Sequence, residues 1–349
     1  MALSRRKTTI VLGAGASCEV GLPVGRELKG RIARLIDIRY EHGFKRISGS
    51  EAINSAFEAK VRMEGAGNIN PYLHACWKIR DAMPQAISID NYLDVHADDE
   101  KTVTAGKLGI ARAILEAEGS SAISVNQRGG QEGFDFGRLE DTWFNKFVQI
   151  LTENCRLGDL LERLSNLSVI SFNYDRCFEH FLYWALRNYY RLGSDEVAEM
   201  LATLNLYHPY GRVGSLPWQR QETPVGFGAL SQSQSLLSIS GKIRTFTEGT
   251  DPEASDIESI RRAVRECDQL IFLGFAFHPM NMKLLSSTED GSAPKTAYGT
   301  ALGLSESDSQ MIKEEVGALT GGEMRRVEVR NDLTCSKLFD EYRRSFALR

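Results

Sequence analysis

Lys7-Thr-Thr-Ile-Val-Leu-Gly13-Ala-Gly-Ala-Ser17-Cys-Glu-Val-Gly21-Leu-Pro23 is the stretch that decides the fold. Residues 7 to 12 are a short β-branched run that stops at Gly13, the pattern of a buried parallel strand. Beyond it Leu28, Ile32, Leu35 and Ile36 recur at helical spacing, and Pro23 stands where a helix favours its first residue. The chain therefore opens as strand, glycine turn and a helix reaching about Tyr40. The same alternation resumes with a strand from Leu167 to Phe172, followed by a helix from Asp175 to about Tyr190. A helix Ile257–Cys267, a strand Leu270–Phe275, a helix Gln310–Ala318, a strand Arg325–Val329 and a last helix near Ser336–Phe346 follow. Alternating strands and helices predict an α/β chain, a doubly wound parallel sheet with helices on both faces.

Residues 41 to 164 read differently, as a helical insertion after the first strand–helix unit. Its strongest segments are Ile89–Val95, Lys107–Glu116, Trp143–Leu151 and Leu157–Leu164. Gly119 to Gly137, rich in Ser, Gly, Gln and Asn, reads as an exposed loop. The sheet domain is then residues 1–40 and 165–349. The length of 349 residues agrees with two domains, or one with a large insertion, at ~150 residues per domain.

Composition narrows the function. Lys plus Arg (42) against Asp plus Glu (46) gives a net charge of −4, no electrostatic ground for a nucleic-acid surface. The four tryptophans are too dispersed for a base-stacking platform. No apolar run approaches the ~20 residues of a membrane span, and the first apolar stretch runs straight into a glycine turn rather than a cleavage site. The six cysteines are scattered with no CxxC pair, neither a zinc ribbon nor a disulfide scaffold. A cytoplasmic protein is expected.

Four segments can carry chemistry. Gly13-Ala14-Gly15-Ala-Ser17 can form a tight turn whose amides approach a pyrophosphate at a helix N-terminus, or simply a strand-to-helix turn. Ser171-Phe-Asn173-Tyr-Asp175 ends a hydrophobic strand, where ligands of doubly wound sheets sit. There Asn173 can hold a sugar hydroxyl or a water, while Asp175 can accept a hydrogen bond or cap the next helix. Tyr207-His208-Pro-Tyr-Gly211 carries one histidine, structural or catalytic. Phe272-Leu-Gly274-Phe275-Ala-Phe-His278-Pro-Met-Asn281 ends another strand: Gly274 permits close approach of a ligand or merely turns a corner, and Asn281 can bond a ribose or adenine. Ser88 and Asp90 stand at a helix start, where capping is the default, and the acidic stretches Asp98–Glu100 and Asp251–Asp256 read as solvated loops.

Together these segments resemble, in chain order, the sirtuin-like family. Gly13-Ala-Gly-Ala-Ser17 followed by Gly21-Leu-Pro23 is similar to its first phosphate-binding loop, and Ser-Phe-Asn-Tyr-Asp to its Asn-x-Asp strand end. Tyr-His-Pro-Tyr-Gly stands where its catalytic His-Gly segment falls, and the segment around Gly274, Phe275 and Asn281 resembles the late strand that closes over the cofactor. The resemblance covers roughly residues 1–40 and 165–345, with Ser88-Ile-Asp90-Asn-Tyr-Leu93 matching inside the insertion. The chain departs from the family's deacylases: no four-cysteine zinc module, Val24-Gly-Arg26 where they carry Asp-Phe-Arg, and Pro209-Tyr210 between the histidine and its glycine. The resemblance therefore points to the zinc-less bacterial antiphage-defence branch, whose domains hydrolyse NAD.

That resemblance implies a catalytic pair Asn173 and His208, with Asp175 orienting, and NAD held by Gly13, Ala14, Gly15, Ser17, Gly21, Pro23, Asp90, Gly274, Phe275 and Asn281. Cleaving the nicotinamide–ribose bond passes through an oxocarbenium-like state with a cationic leaving group. It needs a clamped pyrophosphate, a held ribose and a guided nucleophile rather than a strong acid. His208 would act as the base, and amides around Gly13, Gly15 and Ser17 as the clamp. Expected partners are NAD, further copies of the chain and a partner ATPase or sensor, with no membrane, nucleic acid or zinc. A nucleotide-binding regulatory subunit and an NAD-dependent deacylase are the alternatives. A dehydrogenase fits less well, lacking the third glycine and the acidic residue ~20 positions on.

Overall fold

Thr8–Leu12 is buried at all five positions because it is the central strand, hydrogen-bonded on both sides. In this computed structural model the described residues are 6–65, 67–125, 133–220, 223–229, 233–249, 256–286, 295–320 and 324–348. The chain opens with β1 (Thr8–Leu12), α1 (Ala14–Ser17), α2 (Gly25–Ile36), β2 (Arg39–Glu41) and β3 (Lys45–Ser48). Helices α3 (Glu51–Glu64), α4 (Asn70–Ala82), α5 (Ile89–Val95), α6 (Glu100–Ser120), α7 (Trp143–Thr152) and α8 (Leu157–Ser165) follow. Then come β4 (Leu167–Ser171), α9 (Cys177–Tyr190), α10 (Ser194–Leu201), β5 (Asn205–Tyr207), α11 (Ser233–Ser240), α12 (Phe246–Gly249) and α13 (Ile257–Glu266). The last elements are β6 (Gln269–Leu273), α14 (Pro279–Leu285), β7 (Lys295–Thr300), α15 (Glu306–Ala318), β8 (Met324–Arg330) and α16 (Cys335–Glu341).

Six strands form one parallel sheet in the order β5-β4-β1-β6-β7-β8. Counting only these strands, that is 3-2-1-4-5-6, the order of a Rossmann-like sheet. The chain leaves β1 toward β4 and β5, then returns to the other side of β1 with β6. The strand order reverses there, so the crevice between the β1 and β6 ends is where a ligand is expected.

Alternate residues of the strands feed two cores, because successive side chains point to opposite faces. Val11, Ile170 and Phe272 face α2, α4, α6 and α13 through Ile32, Ile79, Leu108 and Ile260. Ile10, Val169 and Leu273 face the other way, into an aromatic core of Trp143, Phe147, Phe178 and Phe339 from α7, α9 and α16. Residues 41–164 thus supply helices to both faces: α3 to α6 on the first, α7 and α8 on the second. No described helix is long and apolar enough to cross a membrane.

Several boundaries differ from those expected. Helix α2 ends at Ile36 rather than Tyr40, because residues 39–41 pair antiparallel with 45–48. The edge strand β5 is only three residues long, and β7 alternates small and polar residues that hide its burial. Helix α6 continues to Ser120, into the expected loop, of which residues 126–132 lie outside the described ones. Of Asp251–Asp256 only Asp256 is described, and Asp99 caps α6 rather than sitting free in solvent.

One buried ion pair joins the two layers of helices. Arg176 and Glu118 are both fully buried. Glu118 accepts from the Arg176 Nε (3.1 Å), from the Arg176 amide (3.0 Å) and from the Gly228 amide (3.0 Å). The guanidinium also donates to the Gly226 carbonyl (3.0 Å) and to that of Val225. Removing one member strands a desolvated charge, at ~3–5 kcal/mol. Glu118→Leu is therefore expected to lower unfolding free energy in urea by about that amount, and Glu118→Leu/Arg176→Met to recover most of it. Equal loss in both variants would mean that the carbonyl and amide bonds, not the charges, carry the stability.

Candidate functional site

The glycine turn meets the end of β6 backbone to backbone. The Gly13 amide donates to the Leu273 carbonyl and the Gly15 amide to the Gly274 carbonyl, each at 3.0 Å. A Cβ on Gly13 would lie 2.6 Å from the Gly274 oxygen, and one on Gly15 2.8 Å from the Gly274 Cα. Gly274 itself has φ +56°, and a Cβ there would fall 2.0 Å from the Ala16 nitrogen. These three glycines exist so that two strand-end turns can touch. The amides of Gly13 and Gly15, which with those near Ser17 were expected around a pyrophosphate, donate here to the end of β6.

A buried polar network fastens the end of β4 to the same turn. The Asn173 side-chain amide donates to the Gly13 carbonyl (3.1 Å) and to the Ser17 hydroxyl (3.2 Å). Ser17 in turn donates to Asp175 (3.0 Å), which also accepts from the Cys177 amide (3.0 Å) at the start of α9. Asp175 thus accepts from the first amide of α9 and from Ser17 at once. Burial pushes its carboxyl up to about 6, against the opposing pull of the Cys177 and Ser17 hydrogen bonds.

Above these turns lies a cleft of about 270 Å³ at the carboxyl ends of β1, β4 and β6. Gly13, Ala14, Pro23, Asn173, Asp175 and Phe275 line its floor and near wall, with Asp90 and Asn281 opposite. The fold therefore brings together eight of the residues singled out in the sequence. Gly15, Ser17, Gly21 and Gly274 do not line it: the first two and Gly274 support it from behind, and Gly21 (φ +95°) ends the turn after Ser17.

Sequence reasoning passed over the aromatic part of the cleft. Tyr174 donates its hydroxyl to Asp90, and Tyr210 donates to Asn281. Phe172 packs on Phe275 (5.0 Å between rings) and, edge-on, on Tyr210. Burial raises the Asp90 carboxyl above its ordinary range, although Tyr174 and His278 pull it down, and burial beside Asp90 pushes the Tyr174 phenol well up. Ser88 caps α5 by accepting from Asn91 (3.0 Å), which leaves Asp90 free of a capping role and turned to Tyr174. His278 lines the cleft, its Nδ1 accepting from the Met280 amide just after Phe277 at φ +51°.

His208 takes a different position. It lies outside the cleft lining, with Nδ1 3.3 Å from the Asn173 carbonyl oxygen and Nε2 3.2 Å from Glu179. Burial would raise the Glu179 carboxyl, but His208 and Arg212 outweigh it and hold it at about 2. His208 therefore reaches Asn173 from behind, through the main chain. Among the described residues no group of three or more His, Cys, Asp or Glu is placed to hold a metal. No family model matches the chain, and no curated protein matches it.

The raised Asp175 carboxyl makes stability pH-dependent. Because the fold binds the proton more tightly than the unfolded chain, this contribution is complete below pH ~4 and lost as pH rises through about 6. At ~1.4 kcal/mol per pH unit the loss is on the order of 2–3 kcal/mol. Asp175→Asn removes the titration, so its stability relative to wild type is expected to rise by about that amount between pH 4 and pH 7 in urea titrations. A constant difference across this range would mean that Asp175 ionises at no cost.

Proposed function

We propose that the cleft binds NAD and cleaves its nicotinamide–ribose bond with water, releasing nicotinamide and ADP-ribose. The observation that carries this reading is the convergence of Asn173, Asp90, His278 and Asn281 in one aromatic-walled cleft at the reversal of strand order. A volume of about 270 Å³ is just under the ~300–1,000 Å³ usual for ligand sites and suits one nucleoside. The cleft would hold the reacting nicotinamide–ribose half, and the rest of the dinucleotide would lie outside it.

In this mechanism the aromatic walls exclude bulk water and flank the planar ring. The Asn173 amide nitrogen is already bonded twice, so its oxygen is the group offered to a ribose hydroxyl or to the attacking water. Asp90 and His278 are the titratable groups beside Asn281 able to take the proton that water loses. His208 serves as a positioning residue, holding the Asn173 carbonyl rather than touching the sugar. By its resemblance the chain would act as an antiphage effector that depletes NAD, controlled by self-association or by a partner ATPase or sensor.

A second reading, a regulatory subunit that binds NAD or ADP-ribose without turnover, is favoured by one observation. The glycine-turn amides and the Asn173 nitrogen are engaged in bonds within the protein.

Product chromatography of NAD incubated with wild type, Asn173→Ala, Asp90→Asn and His208→Ala separates these readings. Hydrolysis predicts nicotinamide and ADP-ribose from wild type, and kcat lowered ~10²–10⁴-fold in Asp90→Asn with NAD binding retained. Asn173→Ala is expected to lose kcat, and His208→Ala to fall less far. Loss in His208→Ala as deep as in Asn173→Ala would make the histidine the base. NAD bound but intact in wild type, in every oligomeric form and in lysate of phage-infected cells, would establish the regulatory reading.

A further inference from the structure

On the far side of the 208–214 segment from the cleft is a second, polar pocket of about 310 Å³. Its lining includes His208, Arg212, Lys242 and Arg244, with Asp256 as its only carboxylate among the described residues. We propose that this pocket is a binding site for a phosphoryl dianion, inorganic phosphate or a phosphate monoester, separate from the cleft.

Two segments far apart in sequence are locked together to build it. Gly211 bridges Ile243, and the Arg244 amide donates to the Tyr210 carbonyl at 2.9 Å. Gly211 has φ +70°, and a Cβ there would sit 1.9 Å from the Lys242 carbonyl oxygen, so the contact tolerates no side chain. This clamp holds Arg212, Lys242 and Arg244 around one concavity, against the repulsion of three like charges. Arg212 is offset by Glu179 (3.1 Å), whereas the side chains of Lys242 and Arg244 have no ion-pair partner among the described residues. Among the described residues, three cations against Glu179 and Asp256 leave one positive charge uncompensated.

His208 closes one edge of the pocket, its Nδ1 3.3 Å from the Asn173 carbonyl oxygen and its Nε2 3.2 Å from Glu179, which leaves Lys242 and Arg244 as the cations turned to a ligand. Tetrahedral phosphate has oxygens for donors arriving from several directions. A planar carboxylate would instead need the Arg212 fork, already turned to Glu179.

The test is calorimetric titration with sodium phosphate, and in a parallel arm with ribose 5-phosphate, ionic strength being held constant with NaCl. Wild type is expected to bind with millimolar or tighter Kd, and Lys242→Gln/Arg244→Gln at least about tenfold more weakly. Asn173→Ala, altered only in the cleft, should bind as wild type does, so failure of the NAD reading leaves this result intact. Tighter binding of ribose 5-phosphate would identify a monoester as the ligand, and equal binding a free phosphate. Equal affinity in wild type and the double variant, or no binding to wild type, would overturn the proposal. If the double variant has lost its urea transition, Lys242→Gln alone carries the comparison, with weaker binding again expected.

Discussion

Everything at the working end of this molecule depends on the contact between the Gly13–Gly15 turn and Gly274. Three Cα atoms without side chains let the ends of β1 and β6 approach to backbone hydrogen-bond distance, where any Cβ would collide with main-chain atoms. The contact lies beneath the cleft at the strand reversal, which Gly13, Ala14 and Phe275 line. It also sets where Phe275, Ala276 and His278 emerge, because the chain leaves Gly274 in a left-handed conformation only glycine adopts cheaply.

Around that contact the protein concentrates buried polar groups bonded to neighbours from distant parts of the chain. Asn173, Ser17 and Asp175 tie β4 to the turn, and Glu118 with Arg176 ties α6 to α9 and to the 225–228 loop. Such networks are expensive if incomplete and rigid when complete. They fix the floor of the cleft to a geometry that flexible apolar packing alone would not specify. The roof is different: α5 presents Asp90 against the Tyr174 phenol, a carboxyl whose burial favours its protonated form. The cleft thus pairs a hydrogen-bonded floor with a titratable wall.

The 208–214 segment connects this cleft to the cationic pocket behind it. Tyr210 faces the cleft, His208 stands against the Asn173 carbonyl, and Arg212 turns to Glu179 on the opposite side. One short run of chain thereby contributes to two cavities of opposite character, an aromatic one and a cationic one.

The sequence by itself determined the parallel α/β plan, the glycine turn, the strand ends at the cleft and eight of the residues that line it. Those features are local: β-branched runs, helical spacing and glycine at a sharp turn all act over a few residues. It could not disclose β5, too short to show a pattern, or the β2–β3 hairpin, whose pairing overrides the end of a helical run. The Arg176–Glu118 pair spans 58 residues, and Tyr174 and Tyr210 meet Asp90 and Asn281 across 84 and 71. Only tertiary structure decided those meetings. It also decided which partners two groups take: the Gly13 and Gly15 amides bond to Leu273 and Gly274, and His208 meets the Asn173 carbonyl outside the cleft lining. The physical reason is common to both. Residue type sets which bonds a group can make, whereas the partner that takes them is whichever distant backbone or side chain the sheet brings within 3 Å.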